Sequence, residues 1–253
     1  MKDLIRTPII TSGLITNPIG SMIGAGNGGG GGDPLAIIDV IADASGPIEQ
    51  RGGTIELAPN ASFTGTPAFA VSTDVPSGDY THSFQLDSRN AIAFDIIPAV
   101  AAALELTGDF TIEFWAKWDS GNTAAFQRFF NERDDNNEYI RIQSYTGSIA
   151  TPRVSNGTSF NGQNMGNSDV WNHICFERQG SNMRQYRGGT SVAFGSWSAA
   201  TFTLANSAFT DRMAVGYNYG SGGNADNTGV PCLMVGLRIY NFAKYEGTNF
   251  TPV

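Results

Sequence analysis

Apolar and polar residues alternate most cleanly over Asp109–Trp118. Phe110, Ile112, Phe114, Ala116 and Trp118 share one face, and Thr111, Glu113, Trp115 and Lys117 share the other. That period of two is the pattern of a strand with one face on a core. Shorter apolar runs at 35–41, 54–57, 83–86, 91–94, 126–130, 139–144, 170–178, 183–187, 212–217 and 233–240 predict further strands. Turn residues punctuate them. Asp43-Ala-Ser-Gly46 ends the first run, and Gln179-Gly180-Ser181-Asn182 joins 170–178 to 183–187 as a hairpin. Only the Ala-rich stretch 98–106 predicts one or two helical turns. Many short strands with turns between them make an all-β sandwich.

The first 24 residues break this pattern. Leu4, Ile5, Ile9, Ile10, Leu14, Ile15, Ile19 and Ile23 lie among Pro, Thr, Ser and Gly with neither a 3.6 nor a 2.0 period. Pro8 and Pro18 favour extended backbone. The segment is too apolar for a solvated tail and too irregular for a helix, so it is expected to lie as an extended arm along another protein. Gly24 to Gly32 follows as a flexible leash. A phosphate-binding loop would need a Gly-Lys-Ser/Thr ending, which is missing. The chain is thus expected to divide into residues 1–32, arm and leash, and 33–253, the sandwich.

Composition narrows the choice of partner. The chain carries 15 basic and 23 acidic residues in 253, a net charge of −8. A protein that wraps phosphates needs a basic surface, so nucleic acid is not an expected partner. No signal peptide is evident and no apolar run is long enough to span a bilayer, which implies synthesis in the cytoplasm and no membrane partner. The Asn-x-Ser/Thr matches at Asn60, Asn156 and Asn249 then read as coincidental. Cys175 and Cys232 each sit in an apolar run. Two buried free thiols is the favoured reading, and one bridge between neighbouring strands is the other.

Four stretches, in order, resemble the laminin-G/concanavalin-A-like jelly roll, in the version found in tailed-bacteriophage structural proteins. Asp109-Phe-Thr-Ile-Glu-Phe-Trp-Ala-Lys is similar to that family's "gDFTIEfWvk" strand. Trp171-Asn-His-Ile-Cys-Phe-Glu-Arg resembles "W.Hva..r", and Met183-Arg-Gln-Tyr-Arg-Gly-Gly resembles "lyvdG". Gly236-Leu-Arg-Ile-Tyr-Asn-Phe-Ala-Lys-Tyr-Glu-Gly-Thr-Asn-Phe-Thr-Pro resembles the ending "lRiy..A.Y.g.FtpP". The sequence departs from the pattern twice. Gly188 replaces an acidic residue, and Val235-Gly236-Leu237 occupies another often acidic position. An inherited calcium or ligand site is therefore not expected at those places.

The candidate chemistry is thin. Glycanases on such a sandwich set two carboxyls about 5–5.5 Å apart, whereas Glu113 is followed on its face by Trp115 and Lys117. Asp134, Asp135 and Glu138 read as a solvated hairpin end. His173 and Cys175 share a strand face, but no motif supplies the third group that would orient a base. With His82 the only other histidine, no transition-metal site is expected. No cofactor is expected. Calcium is the one ion with candidate oxygen donors, in the loops Asn131–Glu138 and Asn224–Asn227, and neither matches an EF-hand. For sugar, the Gly-rich loop 216–229 is the candidate, with Tyr217, Tyr219, Asn224 and Asp226 supplying aromatic and polar groups.

The resemblance implies a non-enzymatic virion structural protein, a capsid decoration (cement) or head-fibre protein. Leu4, Ile5, Ile9, Ile10, Leu14 and Ile15 would anchor it to the major capsid protein or another virion protein, and a homo-oligomer is expected. The alternative is a glycan- or receptor-binding adhesin module of a tail fibre. A surface glycan is its expected partner; aromatic clustering around the 216–229 loop would favour the adhesin, and loss of particle association on deleting the arm would favour the decoration protein.

Overall fold

The alternating stretch at 109–118 becomes the middle of a sheet. The computed structural model describes residues 33, 35–49, 55–58, 70–77, 79–86, 92–96, 108–119, 128–133, 139–145, 149–155, 159–161, 166–196, 212–215, 218–219, 225–226 and 232–252. The arm and the expected helical turns at 98–106 lie outside these residues.

Eighteen strands occur among the described residues. They are β1 (Ile38–Asp43), β2 (Gly46–Glu49), β3 (Ile55–Ala58), β4 (Val71–Ser72), β5 (Ser83–Leu86), β6 (Ile92–Ile96), β7 (Phe110–Trp118), β8 (Arg128–Arg133) and β9 (Tyr139–Tyr145). There follow β10 (Ile149–Ser155), β11 (Ser159–Asn161), β12 (Asn172–Gln179), β13 (Asn182–Arg187), β14 (Thr190–Ser196), β15 (Arg212–Val215), β16 (Asn218–Tyr219), β17 (Ala225–Asp226) and β18 (Cys232–Tyr240). A nine-stranded sheet runs β14-β13-β12-β7-β18-β1-β2, with β5 also on β18 and β4 on β5. A seven-stranded sheet runs β11-β10-β9-β8-β15-β6-β3, and β16 and β17 form a ribbon. The described strands pair antiparallel, as the all-β jelly-roll sandwich expected from the sequence requires.

Register explains the core. Ile112 lies between Phe176 on β12 and Ile239 on β18, so one row crosses three strands on the inner face. Phe84, Phe110, Ile112, Phe114, Phe176, Met234 and Ile239 are all fully buried. Each such side chain contributes roughly 1.5–3 kcal/mol by leaving water.

Two glycine features account for the departures in the sequence. Gly188 (φ +56°) and Gly189 (φ +76°) form the two-residue turn between Arg187 and Thr190, which requires positive φ at both positions. Gly236 (φ +68°) sits in a register shift of β18 against β7, between Val235 and Arg238. The hairpin expected at 179–182 is present, with Gln179 paired to Asn182.

Several strands had no alternation to announce them. β10 contains Pro152, yet β11 pairs only with Arg153–Ser155, so the proline lies beyond that ladder. β2 begins at Gly46, which the sequence marked as the end of a turn.

Candidate functional site

The outer face of the nine-stranded sheet carries Thr111, Glu113, Trp115 and Lys117 from β7. Register places His173 beside Trp115, Cys175 beside Glu113 and Glu177 beside Thr111. From β18, Arg238 lies beside Glu113 and Tyr240 beside Thr111. In an ordinary exposed sheet these groups would be solvated. In this sheet Thr111, Cys175 and Glu177 are fully buried, and Glu113 is 2% and His173 4% exposed.

A strap, residues 241–252, covers them. Glu177 accepts backbone N–H bonds from Tyr245 (2.6 Å), Glu246 (3.1 Å) and Gly247 (3.1 Å), and a hydroxyl bond from Tyr186 (3.0 Å). Glu246 (φ +50°) and Gly247 (φ +82°) turn their N–H groups toward this one carboxylate. Glu113 accepts from Lys244 Nζ (2.8 Å) and from the Tyr245 hydroxyl. Tyr240 Oη accepts from Lys244 Nζ (2.6 Å) and lies within bonding distance of Asp33 Oδ2 (2.8 Å) and Glu113 Oε1 (3.0 Å). Thr111 Oγ1 donates to the Phe242 carbonyl and accepts from Lys244 N, both at 3.0 Å. The Tyr245 and Phe250 rings stack, and Phe250 meets His173 edge-on at 5.6 Å.

Electrostatics fit a sealed network. Burial pushes Glu113 up, but Lys244, His173 and the Tyr245 hydroxyl outweigh it and hold the carboxyl below its ordinary range. Burial drives His173 down to about 4, against the pull of Glu113, so the ring is neutral at pH 7. Its Nε2 is 3.7 Å from Glu113 and its buried Nδ1 has no hydrogen-bond partner. Burial raises the Cys175 thiol well above its ordinary value, which leaves it protonated and inert. Buried Asp39 is also pushed up by desolvation, only partly offset by Arg238 at 3.3 Å. Glu113 does acquire a second acid on its face, Glu177 from the neighbouring strand, which no local pattern in the sequence announces. Both carboxylates are occupied by the strap.

The other end of the same face is open. Gln85 on β5 pairs with Leu233 on β18, and Leu233 pairs with Lys117 on β7. With Trp118, Asp119, Asp169 and Cys232 these residues line a depression of about 300 Å³. Trp118 and Cys232 are buried, whereas Gln85, Asp119 and Asp169 are exposed. Trp115 and Trp171 are half-buried beside this end. Trp171 Nε1 donates to Asp74 Oδ1 (2.8 Å), and Lys117 Nζ donates to Asp74 Oδ2 (2.6 Å). The Lys117 hydrogen bond foremost, then that of Trp171, holds the Asp74 carboxyl below its ordinary value.

Local bonds set this geometry. The Asn172 amide donates to the carbonyls of Asn167 and Val170, both at 2.8 Å, and Asp169 N donates to the Trp118 carbonyl at 2.7 Å. These bonds pin the loop that carries Asp169 and Trp171 against the end of β7. Ser83 Oγ donates to the Asp74 carbonyl (2.7 Å) and fixes the opposite side.

Of the residues singled out in the 216–229 loop, Tyr219 and Asp226 fall in the β16–β17 ribbon, where Asp226 opposes Asn218 and Tyr219 opposes Ala225. Tyr217 and Asn224 lie outside the described residues, as do Leu4, Ile5, Ile9, Ile10, Leu14 and Ile15 of the arm. Cys175 and Cys232 are both free and buried. Among the described residues no group of three or more His, Cys, Asp or Glu side chains is placed to hold a metal ion. The open end of the sheet was missed in the sequence. The available signal was Trp115 and Lys117 at outward positions of the best strand.

Comparison with known proteins adds a family and a set of similar folds. A family model for the concanavalin A-like lectin/glucanases superfamily (Laminin_G_3) matches residues 90–246. No curated protein gives a significant match. Among solved structures, the chain is similar to the binding domain of Paraclostridial Mosquitocidal Protein 1, with TM-score 0.58 and 12% identity over 84% of this chain and 50% of that one. The botulinum neurotoxin serotype D binding domain gives TM-score 0.58 and 12% identity over 83% and 48%. Domain 4 of AbnA, a GH43 extracellular arabinanase from Geobacillus stearothermophilus solved with arabinotriose, gives 0.54 and 18% over 81% and 94%. The chain spans about half the length of the two toxin domains and nearly all of the arabinanase domain. At these identities the likeness is one of fold.

Proposed function

Because the chain belongs to the concanavalin A-like lectin/glucanases superfamily, we propose that it is a non-catalytic module that binds a glycan at the open end of its nine-stranded sheet. The depression lined by Gln85, Lys117, Asp119, Asp169 and Leu233, flanked by half-buried Trp115 and Trp171, is the observation that carries this reading. Sugars are held by a ring face against an aromatic and by hydroxyls bonded to carboxylates and amides, and this end of the sheet offers both. A relative by fold solved with arabinotriose and two toxin binding domains support the same direction.

The buried carboxylates Glu113 and Glu177 do not serve catalysis. Hydrolysis needs a carboxylic acid and a second carboxylate facing substrate and water. Glu113 and Glu177 share a face, but the strap occupies their oxygens. The particle-anchoring role implied by the family resemblance rests on residues outside the described set, so the adhesin reading is the better supported of the two.

A glycan array probed with the full chain tests this, with Trp171→Ala alongside. Binding to a defined set of oligosaccharides, weakened at least about tenfold in Trp171→Ala, is the expected result. Absence of binding to any glycan, or equal binding by the variant, would remove the proposal.

A further inference from the structure

Resting on the glycan-binding reading, we propose that Asp74 sets the charge selectivity of the open face, admitting uncharged sugars and turning away sialylated or sulfated ones. Among the described residues, the Lys117 ammonium and the Trp171 indole N–H are two strong donors beside the depression. Both already point at Asp74, at 2.6 and 2.8 Å, one to each carboxylate oxygen. Asp74 thus occupies two donors that the carboxylate or sulfate of an anionic sugar would use. An anionic ligand must displace a charge-assisted pair fixed within the protein before it gains one of its own.

The rim of the depression also carries acceptors. The carboxylates of Asp119 and Asp169 are exposed at its rim, and carboxylates accept without donating. Sugar hydroxyls can donate to them. A sugar acid brings a further negative charge toward these two, and like charges repel. Asp74 itself is held in place, its backbone N–H bonded to Ser72 Oγ (3.1 Å) and its carbonyl to Ser83 Oγ (2.7 Å). Removing its carboxylate frees the ammonium and the indole N–H together.

The test is an array of matched pairs, each neutral oligosaccharide beside its sialylated and sulfated forms. The full chain is compared with Asp74→Ala and with Asp74→Ala/Lys117→Met. The unmodified chain should prefer the neutral member by at least about tenfold. Asp74→Ala should narrow or invert that ratio by about tenfold, and the double variant should lose the gain toward anionic sugars. Equal unfolding midpoints for the three proteins would show that the fold is kept. Should the unmodified chain favour anionic members, or Asp74→Ala leave the ratio unchanged, the role of Asp74 is refuted while glycan binding stands. If no glycan of either kind binds, the underlying reading falls as well.

Discussion

Glu177 is the residue on which the strap depends most. Its carboxylate has no exposure and answers three successive backbone N–H groups as well as the Tyr186 hydroxyl. In Glu177→Gln an amide N–H₂ would face at least one of those donors, leaving buried groups unpaired. The expected loss is about 1–3 kcal/mol, read as a lower denaturant midpoint. A midpoint within experimental error of the unmodified chain would contradict this role.

His173 makes a second residue-scale prediction. Burial disfavours its charged form, so the folded state releases the proton down to about 4, while the unfolded chain takes it up near 6.5. Stability contributed by keeping the ring neutral is therefore complete above 6.5 and is lost as pH falls toward 4, by about 3 kcal/mol at most. His173→Phe should flatten that part of the pH–stability curve. A variant curve parallel to the original through this window would rule the histidine out as its source.

At the scale of elements, the strap and the glycine turn beneath it form one unit. A Cβ on Gly189 would come within 1.8 Å of the Phe250 carbonyl oxygen, and Phe250 N donates to the Gly189 carbonyl at 2.9 Å. Gly189→Ala also meets a positive φ. It should cost about 2 kcal/mol or more and speed amide exchange over 244–250, ahead of β7 and β12. Uniform exchange across the sheet would show that the strap has no separate stability. Gly236→Ala should likewise destabilise by about 1–3 kcal/mol, because the bulge needs φ of +68° and Tyr80 Oη lies 2.5 Å from the added carbon.

These elements also show what could be read in advance. The alternation of β7 gave both of its faces, and the turn residues gave the β12–β13 hairpin. Burial of Thr111, Glu113, His173 and Glu177 was not legible, because a polar alternating face looks the same whether water or a strap covers it. The pairing of Cys175 with Glu113, and so the company of Glu177, is a long-range register that local pattern does not encode. The family resemblance covered the strap residues but said nothing of the bonds they make.

Across the whole molecule, one sheet face is divided between two tasks. Its strap-covered half, around Glu113 and Glu177, supplies stability. Its open half, from Asp74 and Gln85 to Lys117 and Trp171, is the proposed ligand face. Variants in the two halves should separate accordingly. Glu177→Gln should lower the unfolding midpoint while changing glycan affinity less than about threefold under conditions where the protein is folded, and Trp171→Ala should mainly change affinity. Parallel losses of stability and affinity in both variants would merge the two halves into one site.

The most direct measurement is amide hydrogen exchange of the full chain with and without the best-binding oligosaccharide from the array. Protection is predicted at 83–86, 115–119, 169–172 and 232–235, with no change over 241–252. Protection confined to 216–229 or to the strap would contradict the assignment of the open sheet end as the binding face.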